Sequence, residues 1–373
     1  MPYRPAITTV SLGRACFHDI REKLFQASRH GFEGIELFYE DIEYLARTFP
    51  GDLSRENLLE AARQIKTISD NLGLTILNLQ PFMFYEGLVD RAEHERVINE
   101  KVPLWFDILQ IFGADTILIP SNFLPPDPET GAPRITGDMD VIISDLVEIT
   151  ELGAKQTPVV KFAYEALAWG TYVDTWEKSW DVVCRVNRPN FGIALDTFNI
   201  AARVYADPAA WSGKTKTAEE DLRLSMLKMS MTLDVNKIFV IQLADGERLS
   251  EPMREGHPWY VKEQPARMTW SRNARLFPCE KEMGAYLPVV EVLRSILSLG
   301  FEGWLSMEVF SRTLANPEST TPYSHAQRGS VSWTRLVEQL SGKHDLAEEA
   351  SNANPSYSNN SYSLPLSSPR ALI

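Results

Sequence analysis

FGIALD, residues 191–196, runs through five uncharged residues and stops on an aspartate. A strand with one wet face alternates apolar and polar residues, because successive side chains point to opposite sides. A near-continuous apolar run suits a parallel strand covered on both faces. Seven more such runs lie along the chain: Ile7–Leu12, Gly34–Phe38, Leu74–Gln80, Thr116–Pro120, Val159–Glu165, Lys237–Leu243 and Trp304–Phe310. Each run is followed by a helical pattern. Leu58, Ala61, Ala62, Ile65 and Ile68 form one apolar stripe, and Val289, Val292, Leu293, Ile296 and Leu297 another. The WEKSWDVVCRV stretch reads as a helix burying Trp180 and Val183. Strand and helix alternating eight times predict an α/β fold, a closed (β/α)8 barrel over residues 1–342. Gly-Phe-Glu-Gly occurs at 31–34 and again at 300–303, each time between a helix end and a strand start. The first glycine of each copy is a helix-stop signal.

Composition bounds the function. The 373 residues are 44% hydrophobic and 23% charged, enough for a large core. Net charge is −13, from 37 basic and 50 acidic residues, with no basic cluster. A nucleic-acid partner, which needs cations against phosphate, is not expected. Cys16, Cys184 and Cys279 are too few and too far apart for a disulfide framework or a thiolate zinc site. No run approaches the roughly 20 apolar residues of a membrane span, and no signal peptide opens the chain. The expected location is the cytoplasm. From Lys343 onward, at 343–373, the chain is rich in Ser, Asn and Pro and predicts a tail outside the core.

Four of the runs carry a polar residue near their C-terminal end where an apolar one would be cheaper to bury: Glu165, Asp196, Gln242 and Glu308. The residue before each (Tyr164, Leu195, Ile241, Met307) is large and apolar. If those pack under the helices, alternation turns the four polar groups into the barrel mouth. Three converging carboxylates repel one another, and burying them unpaired is costly. A divalent cation resolves this, and oxygen ligands suit Mg2+, Mn2+ or a similar ion. Pairing with arginines or capping of helices would also satisfy each residue singly. Glu36 and Gln80 end strands too, and are candidates to support the site or touch substrate.

Residues 245–284 form a long connection after the seventh run. In a barrel it falls on the C-terminal face, where active sites sit. It holds RMTWSRNARLF, with Arg267, Arg272 and Arg275, a stretch suited to an anionic substrate. His18 and His257 are candidate acid/base groups on that face, while His30 reads as a helix C-cap. No Walker loop, Gly-x-Gly-x-x-Gly or nucleophile signature occurs.

With these residues in view, the sequence resembles the 3-dehydroshikimate dehydratases of fungal quinate utilisation, within the xylose-isomerase-like barrel superfamily. The resemblance runs from AITTVSLGR to VSWTRLV. It is carried by GFEGIELFYEDI, LQPF-x3-EGL with DRAEHER, YEALAWGTYVDTWEKSW, NRPNFGIALDTFNIAARVYADP, QPARMTWSRNARLFPCE and GFEGWLSMEVF. It implies metal ligation by Glu165, Asp196, Gln242 and Glu308, the four residues already singled out, with Mg2+, Mn2+ or Co2+ as the ion. It implies substrate binding by Ser271, Arg272 and Arg275, with Gln80 nearby and Glu36 and Asn199 supporting the ligands. Many relatives place a titrating His where this chain has Asn199, and some bacterial ones have Arg where it has Met83. The proton carrier is then His257 or a metal-bound water. Some bacterial relatives also carry a dioxygenase-like domain, which is not expected here.

The implied reaction is dehydration of 3-dehydroshikimate to protocatechuate in quinate and shikimate catabolism. The C3 ketone acidifies the C4 proton, the resulting enediolate expels the C5 hydroxyl, and the ring aromatises. A Lewis acid at the C3 and C4 oxygens would lower that barrier. The runner-up is a sugar isomerase or epimerase sharing the ligand set. A metabolite-sensing barrel is the non-enzymatic alternative. An apurinic endonuclease needs a histidine-rich cluster that six scattered histidines do not supply. Oligomerisation is left open.

Overall fold

The computed structural model describes residues 2–341, and in it eight parallel strands close into a barrel. They are β1 Tyr3–Thr8, β2 Gly34–Phe38, β3 Thr75–Gln80, β4 Thr116–Pro120, β5 Lys161–Glu165, β6 Phe191–Asp196, β7 Ile238–Leu243 and β8 Gly303–Met307. Closure comes from β8 against β1, in register from Tyr3–Gly303 to Ile7–Met307.

Alternation sorts the strand residues as the sequence predicts. Tyr164, Leu195, Ile241 and Met307 join the main core. Leu118, Ala163, Ala194 and Val240 form a second, small apolar cluster. Ala163, Ala194 and Val240 stand two residues before Glu165, Asp196 and Gln242, so on the same barrel-facing side, one layer lower. The helix stripes are buried as expected: Leu58, Ala61, Ala62 and Ile65 on Arg55–Asn71, and Val289, Val292, Leu293 and Ile296 on Val289–Leu297. Each buried Leu, Ile or Val among them stabilises the fold by about 1.5–3 kcal/mol, and each Ala by less.

Local signals end the helices where needed. Thr175 accepts the Lys178 N–H at the start of Trp176–Val186, and Asn187 stops that helix at φ 45°. Gly31 and Gly300, the first glycines of the repeated tetrapeptide, have φ 85° and 91°. In β2, Gly34 is needed for space instead, since a Cβ there would lie 2.8 Å from the Trp304 ring.

Two expectations are corrected. The first strand lies at Tyr3–Thr8, not Ile7–Leu12, and Thr9–Leu12 is a buried 3-10 turn. Its apolar residues mark burial rather than extension, and Ser11 ties the turn to the Val309 N–H beyond β8. In Trp176–Val186 the buried indole is Trp176, bonded to Ser225 Oγ at 2.8 Å, and Trp180 is half-buried. The long connection at 245–284 carries secondary structure of its own. It holds a two-residue antiparallel ribbon, Asp245–Gly246 with Arg275–Leu276, and the helix Ala266–Ala274. The proposed tail lies outside the described residues. Among the described residues, no helix is long and apolar enough to cross a membrane.

Candidate active site

Glu165 ends β5, Asp196 ends β6, Gln242 lies one residue from the end of β7, and Glu308 follows β8. All four are at most 4% exposed. One oxygen from each of Glu165, Asp196 and Glu308 lies within 4.8 Å of the others. The barrel thus gathers three carboxylates spaced 31 and 112 residues apart along the chain.

Protein donors hold these oxygens. Asp196 is both the last residue of β6 and the cap of the helix Thr197–Val204, where its Oδ1 accepts the Phe198 N–H at 2.7 Å. Asn199, in the first turn of that helix, donates Nδ2 to Glu165 Oε1 at 2.7 Å and to Asp196 Oδ2 at 2.8 Å. Its own Oδ1 accepts the Ala168 N–H, which fixes the amide's orientation. Gln242 donates Nε2 to Glu308 Oε1 and to Glu36 Oε2, both at 3.1 Å. Glu36 Oε2 also accepts from Asn78 and Gln80. Burial dominates the electrostatics. Desolvation, then Glu308 and Asp196, pushes Glu165 well above the usual carboxylate range. Desolvation pushes Glu308 up to about 8, opposed by Arg275, and raises Glu36 to about 7.

A divalent ion fits this set. The Gln242 amide turns its nitrogen toward two carboxylates and leaves Oε1 buried without a partner. A buried carbonyl oxygen without a donor costs about 1–3 kcal/mol, which a cation beside it removes. Glu165 Oε2 likewise accepts no hydrogen bond among the described residues. A second group, His94, Asp145 and Glu148, is different. Arg91 already bonds both Asp145 oxygens there, and His94 bonds Glu148 at 2.7 Å.

The carboxylate cluster opens into a cavity of about 720 Å3 lined by Gln80, Glu165, Glu308, Ser271, Arg272 and Arg275. A hollow of about 880 Å3 at the opposite end of the strands is larger, but Glu165, Asp196, Gln242 and Glu308 do not line it. The cavity lining also includes the apolar side chains of Met83, Phe123, Trp169 and Phe310. Arg14 and Arg312 also reach the cavity but pair with Glu40 and Glu247. Arg272 makes no ion pair or hydrogen bond among the described residues.

Arg275 lines the same cavity but, unlike Arg272, is paired within it. It is 1% exposed, with Nη1 2.7 Å from Asp196 Oδ2 and 3.2 Å from Glu308 Oε2. Ser271 Oγ accepts from its Nε at 2.9 Å, so Ser271 positions Arg275. His257 does not line the cavity. It is half-exposed, its Nδ1 accepts the Trp259 N–H, and its ring packs against Trp259. His18 is buried and donates Nε2–H to the Asn316 carbonyl at 2.8 Å. His30 caps its helix, its Nδ1 bonding the Gln26 carbonyl. The sequence reading missed Asn78, Phe123, Trp169 and Phe310. The last three sit within a few residues of a strand's C-terminal end, where barrel sites are built.

Residues 24–335 match the family described as xylose isomerase-like TIM barrel. A 3-dehydroshikimate dehydratase from Neurospora crassa is 48% identical over 349 residues, covering 91% of this chain and 95% of that one. A solved xylose isomerase-like TIM barrel/4-hydroxyphenylpyruvate dioxygenase fusion protein superposes with a TM-score of 0.66 at 26% identity. The match covers 95% of this chain and 45% of the fusion. The zinc-bound IOLI protein, at 16% identity and TM-score 0.65, shares the fold. Eight parallel strands, a carboxylate-lined mouth and a near full-length match agree: the chain belongs to the xylose isomerase-like TIM barrel family, among the 3-dehydroshikimate dehydratases.

Proposed function

We propose that the protein dehydrates 3-dehydroshikimate to protocatechuate with a divalent metal held by Glu165, Asp196, Gln242 and Glu308. The observation that carries the metal is the convergence of three buried carboxylates, with Gln242 beside them leaving its Oε1 without a hydrogen-bond partner. The substrate comes from the 48% identical relative. When bound, the ion supplies Lewis acidity beside the ketone.

The chain's own groups do the rest. Arg272, the unpaired guanidinium at the cavity wall, holds the ring carboxylate in a bidentate fork. Burial and the nearby Arg14 charge both disfavour its charged form, so an anion there is welcome. Met83, Phe123, Trp169 and Phe310 pack the flat ring and exclude water from that side. Glu165 Oε2, which accepts no hydrogen bond from the described protein, faces the reacting ring and takes the C4 proton. The electron pair left at C4 forms the C4–C5 double bond as the C5 hydroxyl leaves with a proton as water. A further proton shift from C6 to the C3 oxygen gives the aromatic diol. His257, held outside the cavity, has no part in this.

The test is incubation of metal-free protein with 3-dehydroshikimate, with and without Mg2+, Mn2+ or Co2+, while following the product's aromatic absorbance. Turnover should need added ion and stop with chelator. Full turnover in protein shown to be metal-free would refute the metal, and absence of aromatic product with every ion would refute the reaction.

A further inference from the structure

We infer that Arg275 is a resident counter-cation of the ligand set, a positioning residue that sets how tightly the divalent ion binds. The inference rests on the metal reading above and goes beyond it.

Three constraints hold this side chain in place. Its backbone is in the two-residue ribbon, Gly246 opposite Arg275, and its N–H bonds the Phe310 carbonyl at 3.0 Å. Its Nε is tied to Ser271 Oγ. Its guanidinium lies 4.4 Å from the Phe198 ring centroid and 5.1 Å from that of Phe310. The fold therefore aims one cation at Asp196 and Glu308, the two carboxylates it touches at 2.7 and 3.2 Å.

Charge explains why. Glu165, Asp196 and Glu308 bring −3 when ionised, Arg275 brings +1, and the remaining −2 is the complement of one divalent cation. Without metal, Arg275 is the sole cation within ion-pair distance of these carboxylates among the described residues, so the metal-free barrel depends on it. With metal, the guanidinium sits near a like charge and contributes less. A group that stabilises the metal-free form more than the loaded form must weaken metal binding by the same margin. A residue that merely orients ligands acts in the opposite sense, since its loss typically weakens binding about 10–100-fold.

The sign of the change is the test. Mn2+ binding to the full chain is measured by titration calorimetry, and melting temperature is followed with and without Mn2+. In Arg275→Met the metal-free protein should melt lower, while Mn2+ binds roughly tenfold tighter and raises the melting temperature more than in wild type. Arg275→Lys, which keeps the charge, should bind Mn2+ within about threefold of wild type and remains informative if Arg275→Met fails to fold. Equal or weaker Mn2+ binding in Arg275→Met, or a lysine variant that departs from wild type as far as methionine would, overturns the inference. If wild type itself binds no Mn2+, Mg2+ or Co2+, the metal reading falls first and takes this one with it.

Discussion

Arg272 and Arg275 are three residues apart on a loop that reads as one anion-binding stretch, yet their surroundings give them opposite duties. Both line the cavity, but Arg275 is paired with Asp196 and Glu308, while Arg272 is unpaired among the described residues. Arg272→Lys keeps the charge and loses the fork, so KM should rise at least about tenfold, with kcat also lower from poorer placement over the site. His257→Gln is the contrast: steady-state kinetics across pH should match wild type, because the imidazole bonds only Trp259 N–H and packs on its ring. A kcat loss in His257→Gln would mean that the loop carries this histidine to the substrate. That Glu165, Asp196, Gln242 and Glu308 would meet in one buried barrel mouth was legible because a carboxylate or amide at the end of an apolar strand violates local economy, and alternation says which way it points. The division between the two arginines was not legible. Which guanidinium meets Asp196 depends on β6, β8 and the ribbon meeting in space, and no local pattern records that.

At the scale of elements, the ribbon and the helix Ala266–Ala274 turn a long connection into a rigid mount. Asp245 Oδ1 accepts the backbone N–H groups of Gly246, Tyr286 and Leu287, tying both ends of the segment. Trp270 is fully buried and donates Nε1–H to the Glu247 carbonyl. A Cβ on Gly246 would come within 2.5 Å of the Trp270 ring. Gly246→Ala must therefore push Trp270 and, through the ribbon, Arg275. The expected cost is about 1–3 kcal/mol of stability, with a drop in kcat at saturating metal larger than any change in KM. Urea unfolding and kinetics read the two effects, and unchanged kcat would show that the ribbon does not position the site. From sequence, this segment read only as a long functional loop. Two-residue strands carry too little pattern to be found, and their pairing is non-local. The barrel strands were found to within a few residues because eight apolar runs repeat one signal. The exception, Ile7–Leu12 for Tyr3–Thr8, arose because a buried 3-10 turn extends the apolar run past the strand.

For the molecule as a whole, burying this many acids makes stability depend on what neutralises them. Glu308 is raised from 4.5 to about 8 and Glu36 to about 7, mainly by desolvation, and Glu165 is raised well above the usual carboxylate range for the same reason. A carboxyl whose folded pKa exceeds its unfolded one binds more protons folded than unfolded between the two values. Its stabilising effect is present below the unfolded pKa and is lost as pH rises through the folded one. The metal-free protein should thus melt highest near about pH 5 and progressively lower toward pH 8. A divalent ion replaces those protons at the ligand carboxylates, so saturating Mn2+ should flatten the decline and stabilise most at the alkaline end. Glu86 and Asp245 are also raised to about 7 by burial, but they lie outside the ligand set. Their contribution is common to both conditions and cancels when the two melting curves are subtracted. The difference curve therefore reads the site alone: it should be small near pH 5 and grow through the titration range of Glu308. A difference that is constant with pH would mean that the ion and the protons do not compete for these carboxylates, and that the metal binds elsewhere.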